Sequence, residues 1–318
     1  MAKKKIFTKT ELQTLSAEEI IDKIQHENYS LLNSLGAEDL RKEMVKVGKV
    51  CNSAVNYFFG TTGTKASEKH DRAAQRKLVK ILKRVAPGDY SGFPKVGKTG
   101  LVVGFNHPSL GEIGRIMMMK VDKMPDKLTC FPVNLPWYEA LAPNYERIKR
   151  LGFIITPTIT PSTMKKMKLK EGTVLYDAAN RIKKDFRDIY TNMSHDIVKN
   201  GGVIFVAPSA TRQATVFKTK DVYDKKEDII PTMSMLAVKI LSDPKIECDF
   251  LPIAVLPPKG YKRTLNMGKK YKLIPCEMMT TDYIRKTYFK TKNPKRLEGF
   301  DYDFHMRIAE KLPKEFWY

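Results

Sequence analysis

Apolar positions in the first ninety residues recur at three- and four-residue steps, the spacing of one face of an α-helix. Ile20, Ile21, Ile24, Leu31 and Leu32 make one such face behind a Ser16-x-x-Glu19 capping box, and Gly36 after Leu35 marks a stop. Leu40, Met44, Val47, Cys51, Val55 and Phe58 form a second stripe that ends at Gly60, Thr61, Thr62 and Gly63. A third helix carries Leu78, Ile81, Leu82 and Val85 and ends before Pro87, Gly88 and Asp89. Three amphipathic helices on short turns predict an N-terminal helical bundle domain over residues 1–90.

Beyond residue 90 the pattern changes to short apolar runs alternating with helical segments. Leu101 to Phe105, Leu128 to Val133, Phe153 to Ile155, Val203 to Val206 and Phe250 to Val255 read as buried strands. Helices are predicted near Gly111 to Lys120, Thr173 to Lys199 and Pro231 to Leu241. This alternation predicts an α/β domain over residues 91–318, a mixed and largely parallel sheet flanked by helices. In such sheets the chemistry gathers where strands end and helices begin.

Composition narrows the classes. With 42% hydrophobic residues over 318 positions the chain is globular, which excludes fibrous and disordered readings. The longest apolar run, Phe250 to Pro258, is about half of the roughly 18 residues that a membrane span needs. The basic start, Met1 to Lys5, is followed by polar helix-forming sequence instead of an apolar signal core, so a cytoplasmic protein is expected, with peripheral membrane contact left open. Cys51, Cys130, Cys248 and Cys276 lie far apart without a C-x-x-C pair, so buried thiols are expected rather than a metal site or a disulfide framework, and no cofactor is called for.

Charge is the strongest compositional signal: 57 Lys and Arg against 35 Asp and Glu give +22. Lys259 to Arg296 holds twelve of the basic residues against Glu277 and Asp282 alone, with Tyr261, Tyr271, Tyr283, Tyr288 and Phe289 interleaved. That stretch reads as a solvated face, as a docking surface for an anionic membrane or an acidic carrier protein, or, least of the three, as a nucleic-acid surface.

Directly after the first predicted strand comes Asn106-His107-Pro108-Ser109-Leu110-Gly111-Glu112. A histidine held at a strand end suits a general base, because imidazole titrates near neutral pH and can take and return a hydroxyl proton. Glu112, on the first turn of the next helix, can bond one ring nitrogen and stabilise the imidazolium. Ser109 and Glu112 equally fit an S-x-x-E capping box, so the glutamate reads either as half of a catalytic dyad or as a helix cap. His26, His70, His195 and His305 lie in polar or mixed surroundings and read as solvated or structural.

A second cluster follows Val206 as Ala207-Pro208-Ser209-Ala210-Thr211-Arg212. Small and hydroxyl residues after a strand leave backbone N–H groups and the Ser209 and Thr211 hydroxyls free to bond an anion. The Arg212 guanidinium adds a planar fork suited to phosphate. Alone, the segment reads more readily as an ordinary strand-end turn with an exposed arginine.

Taken in order, the N-H-x4-acid motif, the A-P-S-x-x-R motif about a hundred residues later and Leu251-Pro252-Ile253-Ala254 resemble the glycerol-3-phosphate and lysophosphatidate acyltransferase superfamily. The A-P-S-x-x-R form is most similar to the soluble plastid-type glycerol-3-phosphate acyltransferases, a branch that also carries a helical domain ahead of its catalytic α/β domain. The resemblance covers roughly residues 95–258 and implies that His107 deprotonates the acceptor hydroxyl, that Glu112 stands for the family aspartate that orients the histidine, and that Arg212 holds the acceptor phosphate. Two positions depart from the family. The acid is Glu, one methylene longer than Asp, and the family block G-x-x-F-I-x-R stands here as Gly152-Phe153-Ile154-Ile155-Thr156-Pro157 without its arginine. Arg147, Lys149 or Arg150 can supply that charge, or Lys165 and Lys166, which resemble a basic pair in the plastid branch.

The resemblance implies transfer of a fatty acyl group from acyl carrier protein or coenzyme A to the hydroxyl of glycerol 3-phosphate, or alternatively to lysophosphatidate or another lysophospholipid. Met117, Met118 and Met119 then line an acyl groove or are plain core residues. Phe316, Trp317 and Tyr318 either anchor at a lipid interface or tuck into the core. Two rivals from other classes remain: a non-catalytic lipid- or anion-binding protein on the same fold, motivated by the two departures, and a nucleic-acid-binding protein, for which no recognised motif speaks.

Overall fold

The computed structural model describes residues 4–59, 67–108, 111–207, 232–260, 268–291 and 294–316. The fold is α/β, with a largely parallel sheet flanked by helices, as the alternating pattern predicts. Contacts divide the chain into two compact units, Met1–Ala74 with Cys130–Met193, and Gln75–Thr129 with Ser194–Tyr318. These units are drawn differently from the expected division into 1–90 and 91–318.

The first unit begins with the helices α1 (Lys9–Thr14), α2 (Ala17–His26), α3 (Leu31–Ser34) and α4 (Glu38–Phe59) and holds the start of α5 (Glu68–Val85). The Ser16–Glu19 capping box forms as expected, and an unforeseen one joins Thr8 and Glu11. Leu31 and Leu32 belong to α3 instead of continuing α2, because Asn28 takes a left-handed φ of 63° that ends the first helix and Ser30 caps the next.

These helices share the first unit with β3 (Thr129–Asn134, from Cys130), α7 (Leu135–Leu141), α8 (Tyr145–Arg150), β4 (Phe153–Thr158), α9 (Pro161–Met167) and α10 (Val174–Lys199, to Met193). Long-range hydrogen bonds explain the grouping. Glu139 on α7 accepts from the Ser30 hydroxyl at 2.6 Å and the Leu32 amide at 2.8 Å, and burial pushes its carboxyl above the usual range. Arg181 on α10 donates to the Leu12 and Leu15 carbonyls at 2.8 and 3.0 Å, supplying the partners that the end of α1 lacks. Gly48 has no side chain where α4 meets α7, and a Cβ there would sit 2.8 Å from that of Ala140. Helices α1 to α4 thus form one unit with later sequence.

The second unit contains β1 (Gly88–Asp89), β2 (Gly100–Phe105), α6 (Gly111–Lys123), β5 (Val203–Val206), α11 (Thr232–Leu241), β6 (Cys248–Leu256), β7 (Tyr271–Pro275), α12 (Thr281–Tyr288) and α13 (Phe300–Ala309). Its strands run in the order β1-β7-β6-β2-β5. Pairs β1–β7, β6–β2 and β2–β5 are parallel and β6–β7 is antiparallel. Every residue of β2 and β5 is buried, which is why these strands read as unbroken apolar runs. Gly104 in β2 admits the ring of Phe304, since a Cβ there would lie 2.5 Å from it. Phe300 packs edge-on to Phe250 with ring centroids 5.5 Å apart.

Several charged side chains of this unit end on main-chain groups. Arg115 on α6, 1% exposed, donates to Pro87 O at 3.2 Å and Lys269 O at 2.5 Å and stacks on Tyr271. Asp301 accepts from the Met233 and Ser234 amides at the start of α11, and Arg285 donates to Asp243 O and Ile246 O just beyond its end. Lys120 is fully buried, its ammonium reaches Pro125 O at 3.5 Å, and desolvation pulls its pKa down to about 8. No helix among the described residues is long and apolar enough to cross a membrane.

Lys120 sets a pH dependence whose sign is fixed. Its ammonium costs the folded state most below about pH 8, and the cost disappears as pH rises from there towards the value of 10.5 for an unperturbed lysine. Lys120→Met should therefore stabilise the protein at pH 7 by about 1–3 kcal/mol, with the advantage shrinking above pH 8. Urea denaturation of both proteins at pH 7 and pH 10 measures it, and an unchanged or lowered midpoint at pH 7 would contradict it.

Candidate active site

Strand β2 is held in parallel on both edges, with Gly104 opposite Val206 of β5 on one side and Pro252 of β6 on the other. The chain therefore leaves β2 towards His107, and β5 towards Ala207, at the same edge of the sheet and from neighbouring strands, about 5 Å apart. Leu251-Pro252-Ile253-Ala254 lies in β6 on the other side of β2. The first two elements of the resemblance thus follow β2 and β5 in sequence and the third lies in β6, and these three strands are adjacent and parallel.

His107 and Glu112 meet. The Nδ1–H of the imidazole donates to Oε1 of Glu112, whose carboxylate is fully buried at the first turn of α6, while the histidine side chain is 16% exposed. Because the carboxylate only accepts, Nδ1 carries the proton and Nε2 is the nitrogen left to act as a base. The longer glutamate reaches the ring despite its extra methylene. Ser109, the partner for the helix-cap reading, lies outside the described residues. The Phe105 ring stands edge-on to the imidazole at 6.5 Å.

Asn106, immediately before the histidine, is part of the arrangement and carries no role in the sequence reading. Its amide is 5% exposed and makes two bonds to one residue of β6, donating from Nδ2 to Val255 O at 3.0 Å and accepting the Val255 amide at Oδ1 at 2.6 Å. Nothing in sequence could name Val255, which is 149 positions away.

The other expected site residues fall in three groups. Ser209, Thr211 and Arg212 lie outside the described residues. Lys165 and Lys166 are exposed on α9 in the first unit. Among the alternatives for the missing family arginine, Arg150 pairs with Asp71 at 2.8 Å and stacks on Phe59, Arg147 bonds Asn56, and Lys149 is exposed. Thr156, in the block that lacks the arginine, is buried in β4.

Other candidates resolve into structure. Met118 and Met119 are core residues at 1% and 0% exposure, which corrects the groove-lining alternative for those two. Within the basic stretch, Lys259, Lys269, Lys270, Lys272, Lys286, Lys290, Lys295 and Arg296 are exposed, whereas Tyr271 and Tyr288 are buried and Tyr283 is open. Two of its aromatics, Tyr271 and Tyr288, thus support the fold. His305 is buried with Nδ1 against Asp301 O at 2.7 Å, and His26 and His70 are exposed. Phe316 is half-buried; Trp317 and Tyr318 lie outside the described residues. No cluster of three or more His, Cys, Asp or Glu suited to a metal occurs among the described residues.

No protein-family model matches the sequence, and no curated protein matches it either.

The thiols allow a direct check of burial. Cys130, Cys248 and Cys276 are free and buried, and desolvation pushes all three up, Cys130 to about 12 and Cys276 to about 11. At pH 8 none of the three should react with a thiol reagent until the protein is denatured. Labelling of any of them in the native protein at the rate of a free thiol would contradict this burial.

Proposed function

We propose that the chain is an O-acyltransferase that moves a fatty acyl group from a thioester donor, acyl carrier protein or coenzyme A, to the hydroxyl of glycerol 3-phosphate, with a lysophospholipid as the alternative acceptor. The observation that carries this reading is the His107–Glu112 pair at the end of β2, beside the strand that leads into Pro208-Ser209-Ala210-Thr211-Arg212. A base at the end of β2, with hydroxyls and an arginine following the neighbouring strand in sequence, suits an acceptor that carries both a hydroxyl and a phosphate.

In this reading Nε2 of His107 takes the acceptor's hydroxyl proton as the oxygen attacks the thioester carbonyl. Glu112 balances the imidazolium that forms, in a site where its carboxylate is shielded from water. Backbone N–H groups meet the tetrahedral oxyanion. As the C–S bond breaks, the proton passes from the imidazolium to the departing thiolate. The products are an ester and a free thiol, with no covalent enzyme intermediate. Ser209, Thr211 and Arg212 hold the acceptor phosphate.

The exposed lysines from Lys259 to Arg296 suit an acidic donor protein or an anionic membrane surface, since both are drawn to a surface of this sign. The protein then works in the cytoplasm, in peripheral contact with the membrane that receives its product. Both associations should weaken as salt rises.

The deciding experiment offers purified protein glycerol 3-phosphate and lysophosphatidate, each with acyl-CoA and with the acyl carrier protein thioester. Transfer is expected with at least one pair, and His107→Ala should lower it at least about 100-fold while acceptor binding persists. Glu112→Gln should lower kcat by about 10-fold or more; an unchanged kcat with a lower melting temperature would make Glu112 a helix cap. Absence of transfer with all four pairs would leave the non-catalytic binding reading in its place.

A further inference from the structure

We infer that Asn106 is a positioning residue, which aims His107 by continuing the sheet with its side chain after the main chain has left it. The kinetic part of this inference rests on the acyltransferase reading; the structural part does not.

The parallel register of β2 and β6 ends at Phe105 opposite Ile253. Had β2 continued, its main chain would have gone on satisfying the edge of β6 that faces it, and His107 would have been one more strand residue. Instead the Asn106 amide bonds both the N–H and the C=O of Val255, at 2.6 and 3.0 Å. A primary amide carries the same donor and acceptor pair as a peptide group, so it can stand in for one. The residue on the far side of this join is His107, whose backbone is then free to turn towards α6.

Two consequences follow. The imidazole hangs between two fixed points, the Asn106 clip on β6 and the Glu112 carboxylate on α6, so its Nε2 has a defined direction. Val255 is itself held on its other edge by the antiparallel pairing with Leu273 of β7, so the clip is anchored to strands on both sides of β6. An aspartate at position 106 would accept the Val255 amide but could not donate to the carbonyl. An alanine would leave both groups without their partner in a buried place.

Asn106→Ala and Asn106→Asp test this, compared with the unchanged protein by kinetics and by the proton resonance of His107 Nδ1–H, which exchanges slowly only while the ring is held on Glu112. In Asn106→Ala the resonance should broaden or vanish, and kcat should fall about 10- to 100-fold with KM within about 2-fold, because a small misplacement of a base acts on the reaction step and leaves binding intact. Asn106→Asp, which keeps one of the two bonds, should fall between, and it serves alone should the alanine variant not fold. A variant with native resonance and native kcat would overturn the positioning role while leaving the acyltransferase reading intact. If the unchanged protein transfers no acyl group, the functional reading fails and the resonance alone decides whether Asn106 orients the ring.

Discussion

Burial of β2 on both faces, together with parallel partners on both edges, is the constraint from which the candidate site follows. A strand so enclosed has no freedom of register, because a slip of one residue would reverse every side chain against the packed layers. Its end is therefore a fixed point, and so are the ends of β5 and β6 beside it. The imidazole of His107 takes its place from that rigidity, the Asn106 amide joins it to β6, and the Glu112 carboxylate meets it from the first turn of α6. Charge chemistry near a strand end is only as well aimed as the strand is immobile.

A second theme is how ionic side chains tie distant parts of each unit together. Glu139, Arg181, Arg115, Asp301 and Arg285 each end on backbone groups far away in sequence, commonly on the unsatisfied amides or carbonyls near helix ends. Each such side chain both meets its own need for partners and closes a helix end or turn that would otherwise be bare. Lys120 lies fully buried with its ammonium 3.5 Å from Pro125 O, and desolvation lowers its pKa to about 8.

Much of the architecture could be read from the chain. Predicted strands such as Leu101 to Phe105 and Val203 to Val206, and helices such as Thr173 to Lys199, agree with observed elements to within a residue or two. What was not read has particular causes. β7 is short and exposes Lys272 between two buried residues, so no apolar run announces it. The α3 helix is a single turn created by the left-handed Asn28 and the Ser30 cap, which periodicity alone merges with its neighbour. At the site, the histidine and glutamate were visible because both lie within six residues, whereas the asparagine's role depends on a strand about 150 positions on.

Local sequence determined the helices, the buried strands, the basic charge and the nearness of His107 to Glu112, because periodicity, capping and short-range spacing act within a few residues. Only the tertiary structure decided which segments share a unit: helices α1 to α4 join residues 130–193, as Glu139 and Arg181 show. It also decided that β2 and β5 end side by side, since strand order in a sheet is chosen by the packing of whole layers and leaves no mark on the strands themselves.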